Sequence, residues 1–479
     1  MTASPSTSLF KNPSLMRLYL LLVPGSLIVS AAMGYDSSLM NGIQGVNRWQ
    51  DFFNHPEGSL LGIMNAILPL GAVFGTVPAA WISDHYGRRW AMAVGDIIVI
   101  LSTIIQTASI NTGMYMASRF LIGFGITIAS SSAPMLAAEL AHPESRTTLT
   151  SMHWKQSILI PTDLYNTLQA LPAIVNLVGL WFLPESPRWL VGQDRHEDAR
   201  AILIKYHAGG DENSAFVAAE FEEIRAALQL ELARTRSWKE LVQTKANRHR
   251  TFLFLCCAFF PQWSGNGLVS YYIAPVLRSI GINSQEDITL ISGILQIGNM
   301  IVAMTGANLV NRVGRRPLLI VATSCMLADM VAWTITGSVF ARTKSEATGA
   351  GILTCVIFFA SSYNICWNPL AVAYPVEILP FNIRAKGIAL LMGSIKGASF
   401  FNQFVNPIGL KNLGWKYYIV YCVWLCFVLL TVFFMFPETK NRSLEEISEV
   451  FEKYSDEQTE KKLEATSVKC VEHRKGEKN

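Results

Sequence analysis

The chain has 479 residues, 51% of them hydrophobic and only 15% charged, with a formal net charge of +4 and a mean hydropathy of +0.31. A soluble domain of this length carries roughly a quarter charged residues, so a soluble globular protein is excluded. The small positive excess does not point to nucleic acid, and it matters only through where it falls along the chain.

Eleven apolar blocks follow in order: Leu18–Leu39, Leu60–Ile82, Trp90–Ile110, Met114–Leu136, Leu168–Leu183, Thr251–Leu277, Ile288–Val310, Pro317–Phe340, Gly349–Leu379, Ile388–Leu410 and Tyr417–Phe436. Blocks of about 20 residues span a hydrocarbon core, and in lipid each must be a helix to satisfy its own backbone. The first block carries Asp36 and is followed by no small-residue cleavage site, so it reads as a spanning helix and not as a signal peptide. A polar segment, about 191–250, separates two membrane portions, 1–190 and 251–446. Within it Ala218, Phe221, Ile224, Leu228 and Leu232 recur at helical spacing, which predicts short amphipathic helices with a solvated charged face. Residues 447–479 mix Glu and Lys with little apolar content, as a disordered tail does.

Three charged motifs occur twice, in the same order, at block edges. Asp84-His85-Tyr86-Gly87-Arg88-Arg89 is echoed by Asn311-Arg312-Val313-Gly314-Arg315-Arg316. Glu139 and Arg146 are echoed by Glu377 and Arg384, and Pro184-Glu185-Ser186-Pro187-Arg188 by Pro437-Glu438-Thr439-Lys440. A duplicated array of membrane-edge charges is the mark of an internally repeated transporter. The arginines fall on alternate loops, which the positive-inside rule makes cytoplasmic, together with both termini when the number of crossings is even. All eight cysteines lie between Cys256 and Cys470 without paired or metal-ligand spacing, and they read as reduced packing residues. The sequon Asn441-Arg442-Ser443 falls on a predicted cytoplasmic loop and should stay unmodified.

Taken together, these motifs resemble the major facilitator superfamily and, within it, the sugar porters, over nearly the whole chain up to Glu446. The stretch Gln262-Trp263-Ser264-Gly265-Asn266-Gly267-Leu268-Val269-Ser270-Tyr271-Tyr272 resembles the seventh helix of fungal lactose-permease and cellodextrin-type transporters. Tyr374-Pro375-Val376-Glu377 through Arg384-Ala385-Lys386-Gly387 points the same way. The resemblance implies an all-α polytopic membrane protein of two six-helix halves around a central site that opens alternately to either side. Pro261 and Gln262 stand where hexose carriers show two glutamines, and Val372 where they show Trp. Both departures argue against a plain hexose carrier. Ala80 stands where members often have Gly, a minor departure.

Charge at the helix edges has a physical use. Asp84, Arg88, Arg89, Glu139, Arg146, Glu185 and Arg188 in the first half can clamp helix ends at a cytoplasmic gate and bias a two-state equilibrium. Asn311, Arg315, Arg316, Glu377, Arg384 and Glu438 are their counterparts. With Asn311 in the acid's place, the second latch should keep a hydrogen bond, lose an ion pair and be the weaker. Asp36 in the first helix and Arg119 in the fourth are ionisable groups at membrane depth, costly unless paired or facing water. In sugar–proton symporters resembling this chain, the matching pair is proton-sensitive: protonation of Asp36 frees Arg119 and favours substrate. Sugars are held by amides, hydroxyls and aromatic rings. The expected set is Gln262, Trp263, Asn266, Tyr271, Tyr272, Gln296, Asn299, Trp367, Asn368, Asn402 and Asn406, with Gln403 beside them. Single buried amides also bond neighbouring helices.

The repeat exposes a mismatch. Glu377 and Pro437 are 60 residues apart, whereas Glu139 and Pro184 are 45 apart. Two crossings need about 40 residues before any turn, and 37 lie between Arg146 and Pro184. Thr147–Thr167 holds His153, Lys155, Pro161 and Asp163 and makes a poor spanning helix. The fifth helix is therefore expected to be truncated or missing, through variant splicing or a misplaced exon boundary. The expected function is proton-coupled symport of a sugar, a di- or oligosaccharide or glycoside. Alternatives are a carrier or exporter of a quinate-like specialised metabolite, or a non-functional isoform. No nucleotide-binding loop or nucleophile motif is present, so no enzyme and no cofactor or metal is expected. The partners are a sugar-like substrate, the proton and the bilayer. A monomer in the plasma membrane is the expected form.

Overall fold

The computed structural model describes residues 13–29, 40, 43, 44, 46–141, 169–233, 238–279, 281, 282, 284–440, 446 and 451. Asp36, Arg146, the sequon and the questioned stretch 147–167 lie outside them, as does the side chain of Asn311. Every described element is a helix. In chain order they are α1 (Pro13–Leu22), α2 (Asn47–Phe52), α3 (Gly58–Tyr86), α4 (Arg88–Thr107), α5 (Thr112–Leu140), α6 (Leu171–Phe182), α7 (Pro187–Gly192), α8 (His196–Tyr206), α9 (Ala215–Ala233), α10 (Glu240–Gln243), α11 (Lys245–Trp263), α12 (Asn266–Ser279), α13 (Gln285–Val313), α14 (Arg315–Thr343), α15 (Glu346–Ile378), α16 (Phe381–Leu413) and α17 (Tyr417–Met435). Eight helical stretches among the described residues are long and apolar enough to cross a membrane, the last running through α16 and α17. α6 is apolar but shorter.

α3, α5, α13, α14 and α16 outrun their apolar blocks at both ends, and the Gly-Arg-Arg turns begin α4 and α14 at once. Block Thr251–Leu277 is instead divided into α11 and α12, and Gly265 between them takes a φ of +102°. α12 is itself kinked at Tyr272, which leaves helical geometry. α1 runs into a π-helical turn at Val23–Leu27, where Pro24 cannot donate to the regular ladder. Ser26 there donates to the Ala133 carbonyl of α5 at 2.7 Å.

Each membrane portion has its own apolar core. Leu18, Leu22, Met92, Ala129, Ala133 and Leu136 are buried together in the first. Phe260, Met326, Trp333, Phe359, Trp367 and Leu425 anchor the second. Phe221, Ile224 and Leu228 of α9 pack on Leu190, Val191 and Ala199 of α7 and α8. Ala218, expected on that face, is exposed, while Val217 and Glu220 are buried. His207, just after α8, joins Glu220 at 2.8 Å and the Leu140 carbonyl at 3.3 Å, tying the linker to the end of α5.

The two portions meet through α3 and α16. Gly62 makes the approach possible: a Cβ there would sit 2.5 Å from the Phe404 carbonyl. The meeting lies toward the face away from the Gly-Arg-Arg turns. On that far face Met40, Ile43, Trp49, Phe53, Leu61, Met64 and Tyr115 cluster with Tyr272 and Tyr271. Gln44 donates to the Tyr271 carbonyl at 3.1 Å, and Lys411 reaches Glu57 at 3.3 Å.

Candidate functional site

The doubled motifs fold into doubled turns. α3 ends and α4 begins around Gly87, which has a φ of +98°, a region that L side chains avoid. This lets the Arg88 and Arg89 amides point at the Glu185 carboxylate, at 3.1–3.3 Å. A carboxylate on the first N–H groups of a helix satisfies orphan donors and meets the positive dipole end. Burial nonetheless pushes the Glu185 carboxyl above its ordinary range, against those amides and the Arg88 charge. The second half repeats the design. Gly314 has a φ of +110°, and the Arg315 and Arg316 amides each donate to Glu438 at 3.0 Å.

The side-chain pairs differ between the halves. Arg88 reaches Glu139 of α5 by one nitrogen at 3.3 Å, and Asp84, itself 69% exposed, at 3.5 Å. Arg315 forks onto Glu377 of α15, with Nη2 at 2.7 Å and Nε at 3.1 and 3.2 Å. Thr439 adds a hydroxyl donor to the same carboxylate at 2.5 Å. The expectation of a weaker second latch is thus not the geometry found. Bidentate Arg–carboxylate contact is stronger than a single bond, and the acid at position 84 is too exposed for Asn311 to cost much. Arg89 and Arg316 bond the Trp181 and Phe433 carbonyls, Arg384 the Leu379 carbonyl, and Arg188 lies half-buried on α7. Each pair named here stays within its own half and coexists with the closed far face.

A small cavity of about 70 Å³ lies between the halves, below the ~300–1,000 Å³ of small-ligand sites. Arg119 and Thr127 of α5 line it from one side, Tyr271 of α12 with Lys396, Ser399 and Gln403 of α16 from the other. Arg119 is only 2% exposed. Of the expected substrate set, then, Tyr271 reaches this cavity, with Gln403 beside it.

The other expected residues have packing partners. Trp263 donates to the Ala398 carbonyl at 3.1 Å and stacks among Phe259, Phe401 and Trp424. Trp367 is buried, donating to Thr323 at 3.1 Å. Asn402 donates to the Gln262 carbonyl. Asn406 accepts from Tyr417 at 3.0 Å and Tyr421 at 2.5 Å. Tyr272 donates to the Gln403 carbonyl at 2.5 Å. Asn266 accepts from Ser270 at 3.2 Å, and Asn368, on an exposed face of α15, donates to Asn364 at 3.1 Å. Gln296 and Asn299 are half-buried on α13, away from the residues that line this cavity.

Three ionisable residues inside apolar blocks escaped the reading of the sequence. Lys396 lines the cavity. Asp96 of α4 is buried and accepts from Asn176 of α6 at 2.5 Å. Asp329 lies at the middle of α14, 3.5 Å from the Ser362 hydroxyl of α15. A charge at helix centre costs about 2.5–3.5 kcal/mol on insertion scales, and that cost was the available signal. Among the described residues no cluster of His, Cys, Asp or Glu could hold a metal.

The chain matches the sugar (and other) transporter family over residues 23–158 and 164–451. It belongs to that family. It is an integral membrane transporter of the major facilitator superfamily and not an enzyme. It is similar to the high-affinity glucose transporter 1 of Candida albicans, 28% identical over 93% of this chain and 88% of that one. The inward-open xylose transporter XylE from E. coli superposes with a TM-score of 0.72, 21% identical over 90% of this chain and 99% of that one. XylE described as a proton:xylose symporter bound to 6-bromo-6-deoxy-D-glucose gives a TM-score of 0.68, 22% identical over 91% of this chain and 100% of that one. Likeness at that identity shows the fold of this transporter.

Proposed function

We propose that the transporter couples inward proton movement to uptake of a sugar, by alternating access around the cavity between its halves. The observation that carries this reading is Arg119, a guanidinium buried at the cavity wall at membrane depth. Such a group requires a counter-charge, and Asp36 on the first helix is the acid assigned to it. Protonation of Asp36 frees Arg119 for substrate, and inward opening releases both the proton and the substrate. That a protein of the same fold is described as a proton:xylose symporter supports the coupling. The Candida relative's glucose supports a saccharide, and Pro261 and Val372 favour one larger than a hexose. Gln403 and Tyr271 contact it first in this reading, while Asn402, Asn406, Trp263 and Trp367 hold the second half rigid.

Residues 1–190 and 251–446 are the two moving halves in this account, with 191–250 as the cytoplasmic linker. The far-face cluster of Trp49, Phe53, Tyr115 and Tyr272 is the closed outer gate, so the cavity faces inward. The Gly-Arg-Arg turns keep each half rigid as it rocks. Residues 147–167 form a shortened fifth crossing, a reading supported by the break in the family match between 158 and 164. Uptake of labelled glucose and labelled disaccharide into vesicles tests the function. Accumulation that a protonophore abolishes is the expected result, and uptake that only equilibrates, protonophore or not, would show a uniporter. Sequencing the transcript across codons 145–170 tests the missing helix; a transcript that matches this sequence, in a protein that transports normally, would sink it.

A further inference from the structure

We propose that Gln44 is a positioning residue for the sugar site: it holds Tyr271 in the cavity wall, and it does so only while the far face is closed. This rests on the reading of the cavity as the sugar site. Pro275 lies four residues after Tyr271 within α12. A helical carbonyl accepts from the amide four residues on, and proline has no amide hydrogen to give. Its ring also crowds that carbonyl, and helices bend at such positions. α12 kinks accordingly at Tyr272, with a φ of −132° and a ψ of 25°. The Tyr271 carbonyl therefore loses its regular helical donor.

The other half supplies a donor. Gln44 Nε2 reaches the Tyr271 carbonyl at 3.1 Å, and Gln44 is only 1% exposed. Its neighbours in the first half aim it. Asn65 Oδ1 of α3 lies 3.4 Å from the same nitrogen, and the Asn65 amide is itself held by the Leu61 carbonyl at 2.9 Å. Gln50 donates to the Gln44 carbonyl at 2.8 Å. Of these bonds, the one to Tyr271 crosses between the halves. Tyr272, one residue on, donates to the Gln403 carbonyl at 2.5 Å, which ties the kink to α16 of its own half. Tyr271 thus sits between an anchor inside the second half and one that exists only when the halves meet at the far face. Its side chain lines the cavity beside Ser399 and Gln403. A sugar that contacts Tyr271 in this position favours the closed far face by that differential contact.

The experiment is equilibrium binding of labelled glucose and labelled disaccharide to the purified full chain in lipid nanodiscs. Gln44→Met keeps the length of the side chain and removes its donor. It should weaken whichever probe the native chain binds by about fivefold, the worth of one net hydrogen bond. Gln44→Leu should do the same, and it carries the test if Gln44→Met does not fold. In a Tyr271→Ala background the same change should cost less than about twofold, because Gln44 acts through Tyr271. Pro275→Ala returns a helical amide to the Tyr271 carbonyl, and adding Gln44→Met there should likewise cost less than about twofold. A fivefold loss repeated in the Tyr271→Ala background would make Gln44 a packing residue of the far face and overturn the proposal. Native affinity in both Gln44 variants also overturns it and leaves the sugar site standing. Failure of the native chain to bind either probe removes the sugar reading together with this one.

Discussion

In the first half Arg88 meets Glu139 through a single nitrogen at 3.3 Å; in the second, Arg315 forks onto Glu377 at 2.7 to 3.2 Å. The backbone around the two sites is the same: a positive-φ glycine, a helix start and a carboxylate on its first amides. The difference comes from the next residue of the third motif. Ser186 is followed by Pro187 and spends its hydroxyl capping α7, accepting from the Trp189 amide at 3.2 Å. Thr439 is followed by Lys440 and gives its hydroxyl to Glu377. Lys440 adds a bond to the Arg312 carbonyl at 2.5 Å. A duplicated motif therefore preserves the turn while one residue redistributes the bonds around it.

The comparison can be broken or sharpened by mutation. The largest effect should come where the halves agree. A Cβ at Gly87 would lie 2.5 Å from the Glu185 carboxylate, and one at Gly314 2.8 Å from Glu438. Gly87→Ala and Gly314→Ala combine that clash with an unfavourable φ and a displaced cap, together about 3 kcal/mol. Thermal unfolding in detergent should show similar losses for both, and a tolerant Gly314 would mean the second turn is built differently. Next come the acids. Glu377→Gln removes the charge and one acceptor oxygen of a fork and should cost about 2–3 kcal/mol, Glu139→Gln about 1 kcal/mol. Equal costs would erase the asymmetry. Asp84→Asn, at an exposed 3.5 Å contact, should fall within about 0.5 kcal/mol. A large loss there would restore the original expectation about Asn311.

The smallest effect concerns pH. Burial raises the Glu185 carboxyl above 4.5, so the folded chain keeps this proton after the unfolded chain has lost it. Its contribution to stability is therefore complete below pH 4.5 and falls as pH rises through the raised value. Glu185→Gln should flatten that slope in unfolding curves taken at several pH values. An unchanged slope assigns the titration elsewhere.

The doubled turns were legible in the sequence because their residues are charges at the borders of apolar runs, where few explanations compete. Even the pairing of Glu185 with one turn and Glu438 with the other follows from their order. The cavity was less legible. Asn402, Asn406 and Trp367 are polar or aromatic groups in membrane helices, and such groups serve either a substrate or a neighbouring helix. Only packing shows that Asn406 serves Tyr417 and Tyr421, and that Trp367 serves Thr323. Lys396 was passed over because it sits inside a block read as apolar. The break at Gly265 falls in Ser264-Gly265-Asn266-Gly267, a turn-prone stretch inside a block read as one continuous crossing.

The central claim is that a buried Arg119, answered by Asp36, couples sugar movement to the proton. Purified protein in liposomes with an imposed inward proton gradient tests it directly, comparing the native chain with Asp36→Asn. The account predicts uphill accumulation by the native chain, and a variant that exchanges labelled for unlabelled substrate but no longer accumulates it. Accumulation by Asp36→Asn with its pH dependence intact would contradict it.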